Sequence, residues 1–289
     1  MATLGPTALL RCLLLSAILA LVLFLTSVWL PQGGIGDCGP GHLPCQTHRT
    51  TPQPPLVEPD GAPPFIKECP GQSFQVWRLL RFLTSSVSVA DDVLLEPYLQ
   101  SWDQLIIFME SLGPVVSFFS QKVNEKMDLI RQLARTHGPK GGVRGAEDAY
   151  RSVRSMVEAE LQAGVVDFSR RTDSGCRTLL RLHRSLLWLA MTLDGLTHEP
   201  DQQGRLKTPG ELSRDAYQVA LAPHHSWVLR QAAELVFLAL PEREYFLRLV
   251  CAQSQHEAEP VLRILIRALQ RVHGVTQRIL EQHAMLDLP

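Results

Sequence analysis

The chain has 289 residues, 45% hydrophobic and 20% charged, with a formal net charge of −1. That near-neutral balance excludes a general nucleic-acid binder, which needs a broad basic surface to displace counterions, so any anion site here has to be local. The six cysteines form no CxxC pair and no His/Cys cluster with zinc spacing, which excludes a structural zinc centre, and four tyrosines with few Val/Ile runs exclude a sheet-rich fold.

Residues 13–30 (LLLSAILALVLFLTSVWL) are 18 positions without a charge, preceded by Arg11. The run is long enough to span a bilayer as a helix and longer than the core of an ordinary signal peptide. Two readings of residues 1–30 stay open, an uncleaved signal-anchor and a cleaved signal peptide. Trp29, Leu30 and Pro31 occupy the place where cleavage wants small residues. Arg11 ahead of the run leaves the N-terminus cytosolic and the bulk of the chain lumenal by the positive-inside rule. The expected location is therefore a membrane of the secretory pathway, with secretion after cleavage or a cytosol-facing domain as alternatives.

Residues 31–64 are crowded with Pro and Gly and read as a disordered, semi-extended tether. They contain a literal GxGxxG at Gly34, Gly36 and Gly39, but a dinucleotide site needs that pattern between a strand and a helix. Cys38 and Cys45 are the only close cysteine pair, either a disulfide in a lumenal tether or two free thiols. Cys176 and Cys251 fall in apolar helical contexts and read as buried thiols.

From residue 65 to the end, helical periodicity dominates and no strand stands out, which predicts an all-α domain of about eight helices. An amphipathic segment covers 74–87, and the next runs to Gly113, a natural stop, with Pro114 opening its successor. "HGPKGGVRG" is the clearest loop, and the 3.6 period resumes over 146–168. Asp173 or Ser174 then caps a helix that carries Arg177, Arg181 and Arg184 on one face, among leucines that bury the other. Pro200 and Gly204 mark a further loop. Thr208-Pro-Gly-Glu211 reads as a capping box, followed by two helices over roughly 211–240 and by segments at 241–251 and 257–285. No nucleophile elbow, HExxH or phosphate loop is present, so an enzyme is the weakest of the functional classes.

Like charges one helical turn apart are unfavourable by a few tenths of a kcal/mol, so the arginine face calls for an anion. The stretches "LLEPYLQSWDQLIIFMESLGPVVSFFSQKVNEK", "DSGCRTLLRLHRSLLWL", "AYQVALAPHHSWVLRQA" and the ending Met285-Leu286-Asp287-Leu288-Pro289 resemble, in order, the glycolipid transfer protein superfamily over about residues 73–289. They are most similar to its ceramide-1-phosphate branch. The resemblance implies a two-layer helical sandwich that opens between its layers for lipid chains. It also implies ATP-independent carriage of one phosphate-headed sphingolipid between membranes, without a cofactor.

By the same resemblance, Arg177, Arg181 and Lys126 fall on phosphate-binding positions, His225 on the histidine that bonds the ceramide carbonyl, and Trp227 on a membrane or pocket contact. Glycolipid carriers have a sugar-stacking tryptophan at the position of Arg181, and an arginine there offers forked N–H groups to a phosphate instead. Lys122 departs from the pattern: the family places an aspartate there to accept from the ceramide amide and hydroxyl, and an ammonium only donates. The competing reading is a membrane-tethered module that binds and presents a lipid without shuttling it.

Overall fold

In the computed structural model, residues 66–137 and 149–289 are described. The hydrophobic segment 13–30 and the tether 31–64, with the Cys38/Cys45 pair, lie outside the described residues. Nine α-helices occupy the described part: α1 Val76–Ser86, α2 Leu95–Ser111, α3 Pro114–His137, α4 Val153–Gln162, α5 Gly175–Gly195, α6 Pro209–Ala220, α7 Trp227–Ala239, α8 Arg243–Leu249 and α9 Gln255–Gln282. Among the described residues extended pairing amounts to two isolated backbone bridges, Val87 with Val93 and Leu94 with Ser152. The all-α expectation holds.

Local chemistry sets the boundaries. Gly113, at φ +112°, ends the α2 segment in a conformation other residues avoid, and Pro114 begins α3. The Thr208–Glu211 box closes in both directions: Thr208 Oγ1 accepts from Glu211 N at 3.2 Å, and Glu211 Oε2 accepts from Thr208 N at 2.8 Å. Ser174, not Asp173, caps α5, its Oγ accepting from Arg177 N at 3.2 Å. The helix expected over 146–168 is shorter. Ser152 and Ser155 form its capping box, Gly164 at φ +65° turns the chain after it, and residues 146–148 lie outside the described part.

Helix α5 is the hub. It packs against α3, α4, α6 and α9, while α1 pairs with α2 and α9. Two layers meet where α1, α2 and α8 face α5 and α9 along an all-apolar seam that includes Leu79, Phe108, Phe246, Leu189, Leu193 and Leu265. The void left along that seam is about 10 Å³, no more than a single water needs. Anything larger than a water can enter only by parting the two faces. The side chains lining the seam are all hydrocarbon, while at its edge Arg243 Nη1 on α8 donates to Leu196 O at the end of α5 at 2.8 Å and ties the layers together.

Cys251 is not a free buried thiol. It forms a disulfide with Cys69, with the Cα atoms 5.6 Å apart, tying the segment before α1 to the turn after α8. The 182-residue separation kept this pair out of view in the sequence. Cys176 is the free, buried cysteine among the described residues. None of the described helices is long and apolar enough to cross a membrane.

Candidate functional site

Helix α5 presents its arginines from a rigid start. Glu160, at the end of α4 and fully buried, accepts from the backbone N–H groups of Gly175 (2.6 Å) and Cys176 (2.9 Å), and from the Tyr150 hydroxyl at 2.7 Å. A carboxylate on the exposed N–H groups of a helix N-terminus complements both the missing hydrogen bonds and the helix dipole. Gly175 permits the approach, since a Cβ there would lie 2.8 Å from Glu160 Oε1 and 2.7 Å from Met156 Sδ.

Arg177, 8% exposed, is held by backbone oxygens: its Nε donates to Pro289 O and its Nη1 to Thr172 O at 3.3 Å. Arg184 Nη2 donates to Leu286 O at 2.6 Å. The two arginines thereby pin the terminal strap, whose Met285 and Leu288 are buried. Arg184, placed by the sequence on the arginine face, is a backbone clamp. Arg181, between them on the same face, differs from both. Its half-buried guanidinium makes no hydrogen bond or ion pair with any described residue. Burial, and then the charges of Arg177 and Arg171, weaken its hold on its proton.

Lys126 approaches from α3, which packs on α5. Its Nζ donates to Lys122 O at 2.7 Å, and no carboxylate pairs with it among the described residues. Burial lowers its pKa from the usual lysine value, and Arg181 is the next cause, so the two cations are electrostatic neighbours. His225 follows the 3-10 turn Ala222–His224. Its Nδ1 shares a hydrogen bond with the Tyr217 hydroxyl at 2.8 Å, and its backbone oxygen accepts from Arg230 Nε at 3.0 Å. Burial depresses the imidazole, with His224, Lys126 and Arg184 adding to the effect. The fold thus draws Lys126, Arg177, Arg181 and His225 into one electropositive cluster contributed by three elements.

Lys122, one turn before Lys126 on α3, is exposed and has its Nζ 2.6 Å from Glu125 Oε1, and its charge reaches Lys126. Trp227 is 63% exposed at the start of α7, with Val228 and Leu238 also open to solvent, so it belongs to the surface and not to the core. Phe118 is likewise exposed on α3, whereas Phe119 packs against the core. The packed pair α3 and α7 therefore shows large apolar groups to solvent. Sequence reasoning missed Glu160 and the terminal strap. A lone glutamate on an amphipathic helix carries no signal of a tertiary cap, and backbone acceptors are invisible in a sequence.

A family model described as Glycolipid transfer protein (GLTP) matches residues 93–252. The ceramide-1-phosphate transfer protein of Homo sapiens is 38% identical over 202 residues, covering 69% of this chain and 89% of that protein. Its counterpart in Xenopus laevis is 36% identical over 214 residues, covering 73% and 94%. The crystal structure of the human protein in complex with 12:0 ceramide-1-phosphate superposes with a TM-score of 0.65 at 36% identity, over 73% of this chain and 97% of that one. The fungal glycolipid transfer protein HET-C2, at 19% identity and a TM-score of 0.55 over 69% of this chain and 92% of that one, shares the fold. Helical architecture, sequence match and structural likeness agree, and the chain belongs to the glycolipid transfer protein family.

Proposed function

We propose that residues 65–289 form a lipid domain that binds a phosphate-headed sphingolipid, ceramide 1-phosphate, and moves it between membranes without ATP. The family is one of lipid transfer proteins, not of enzymes. The observation that carries the ligand reading is Arg181, a half-buried guanidinium without a partner among the described residues, flanked by Arg177 and Lys126. Leaving such a group unpaired is unfavourable unless something else completes it. A phosphate monoester brings about −1.5 to −2 of charge and three acceptor oxygens, which suits forked guanidinium N–H groups.

In this reading Arg177, Arg181 and Lys126 hold the phosphate, His225 meets the lipid's carbonyl, and Trp227 rests in the membrane while the lipid is exchanged. The chains enter the seam between the layers. Each methylene kept from water is worth roughly 0.8 kcal/mol, and moving it from bilayer to apolar seam is close to neutral. The chains therefore retain the lipid and the head selects it.

The compartment that we propose is the secretory pathway, with the lipid domain on its lumenal side. The uncharged run 13–30 behind Arg11 and the Cys69–Cys251 disulfide support it, since disulfides persist in oxidising compartments. Protease protection of the domain in intact microsomes tests that placement. For the activity, vesicle-to-vesicle transfer of ceramide 1-phosphate should fall at least about tenfold in Arg177→Ala and in Arg181→Ala, given roughly 1.5–3 kcal/mol for a hydrogen bond to a charged group. Tight binding without transfer would favour the tethered presenting module. Transfer indifferent to both arginines would refute the headgroup site.

A further inference from the structure

The polar groups around the cluster are mostly donors: no carboxylate is bound to Lys126 or Arg181 among the described residues, and Asp173 and Asp287 act on Arg177, Arg181 and Arg184 only from beyond ion-pair distance. On α3, the positions one turn either side of Lys126 are Lys122, Val123, Leu129 and Ile130, one ammonium and three hydrocarbon side chains. The nearest carboxylate on that helix, Glu125, is closed onto Lys122 Nζ at 2.6 Å on the exposed side, and Asp128 faces Arg131 at 3.7 Å. On α5, the neighbours of Arg181 one turn away are Arg177, Thr178, Arg184 and Ser185. Both hydroxyls donate to backbone oxygens of their own helix, Thr178 to Ser174 O at 2.8 Å and Ser185 to Arg181 O at 3.0 Å, which leaves their lone pairs as the weak acceptors on this face. The nearby backbone oxygens of Lys122, Thr172, Leu286, Pro289 and His225 already receive Lys126, Arg177, Arg184, Arg177 and Arg230 respectively.

Such a site rewards a ligand whose polar part only accepts. A phosphate and a carbonyl do so. A sphingoid amide N–H and its neighbouring hydroxyl also need acceptors once out of water, and a buried donor left without one forfeits what the rest of the contact gains. We propose that this chain reads the phosphate and not the lipid backbone, so that it takes diacylglycerol phosphate as readily as ceramide 1-phosphate, with Lys122 the residue that sets this tolerance. The inference rests on the headgroup reading above. Both lipids present the same phosphate to Arg177, Arg181 and Lys126, and both present a carbonyl to His225. They differ at the neck, where one carries an ester and the other an amide with a hydroxyl. An acidic residue in place of Lys122 would put two acceptor oxygens one turn from Lys126 and restore discrimination.

The test uses the full-length chain, captured on beads and incubated with phosphatidylcholine vesicles that hold equal small amounts of the two phosphate lipids with matched chains. Extracted lipid is measured by mass spectrometry. The wild type should extract the two within about threefold of each other and leave the phosphatidylcholine, whose phosphate is capped. Lys122→Asp should shift the ratio at least about tenfold toward ceramide 1-phosphate, and Arg181→Met should reduce both lipids together. A wild type that prefers ceramide 1-phosphate by more than about tenfold, yet responds to Arg181→Met, overturns the proposal and leaves the headgroup site standing. An unchanged ratio in Lys122→Asp overturns the role of that residue. Extraction that ignores Arg181→Met overturns the headgroup reading itself.

Discussion

Replacing Arg181 with methionine separates the two roles that a cationic side chain can have in a fold. If Arg181 were a structural ion-pair residue, its loss would destabilise the domain by leaving a carboxylate stranded. No carboxylate is bound to it among the described residues, and Asp173 attracts it from beyond ion-pair distance by less than Arg177 or Arg171 repels it. Instead it stands one turn from Arg177 and Arg184 on α5, with Lys126 opposite. Two like-charge pairs on one helix, at roughly 0.2–0.5 kcal/mol each, sum to about 0.4–1 kcal/mol of repulsion before Lys126 is counted. Methionine keeps the unbranched hydrocarbon stem that lies along the neighbouring leucines and deletes the charge. Arg181→Met is therefore expected to raise unfolding stability by about 0.5–1 kcal/mol, or about 1–4 °C in Tm for a domain of this size. Ceramide 1-phosphate affinity should fall roughly 10- to 150-fold, the equivalent of about 1.5–3 kcal/mol. Urea unfolding and vesicle extraction on the same preparation measure both. Added salt should narrow the stability gap by screening the repulsion in the wild type. A mutant less stable than the wild type by about 1 kcal/mol or more would refute the reasoning, because it would show that the guanidinium already has a partner.

Four further outcomes follow from particular contacts. Glu160→Gln can satisfy one of the two N–H groups at the start of α5 but turns an amide toward the other, so a loss of about 1–3 kcal/mol is expected in urea unfolding, and a change within about 0.5 kcal/mol would dismiss the cap. His183 is buried and stacked on His273 at 3.9 Å, and burial first, then His273, push its pKa down to about 3. Because the unfolded state binds that proton near pH 6.5 and the fold does not, the contribution is intact above about pH 6.5 and is lost as pH falls, by up to about 1.4 kcal/mol per pH unit. Unfolding at about pH 7 and about pH 5 should differ by about 2 kcal/mol more in the wild type than in His183→Gln. Cys69→Ser should lower stability by about 2–4 kcal/mol, and reductant should do the same to the wild type but not to the mutant. Trp227→Ala should weaken adsorption to vesicles about tenfold in sedimentation, with little change in unfolding, because the indole is mostly exposed.

Signals that act along the chain were legible in the sequence. The Gly113–Pro114 break, the Thr208–Glu211 box and the arginine face of α5 each depend on residues within a turn or two of one another, and all stand where the spacing puts them. What the sequence hid depends on contacts between distant elements. Neither Cys69 nor Cys251 announces its partner, Glu160 looks like any solvated helix glutamate, and Arg184 gives no hint that a backbone oxygen awaits it. The convergence of Lys126 with Arg181 was available only through the family resemblance, since the two residues sit on different helices. Phe118 and Phe119 part ways for a related reason: helical periodicity says which residues share a face, but not whether that face meets the core or the solvent.

The Cys69–Cys251 bond links the stretch ahead of α1 to the stretch behind α8, so it encircles most of the helical domain in a single covalent loop. A protease that cuts the backbone once inside that loop leaves two fragments still fastened together. They would travel as one species on a gel until a thiol is added, and the severed domain would keep the proximity of its parts that refolding needs.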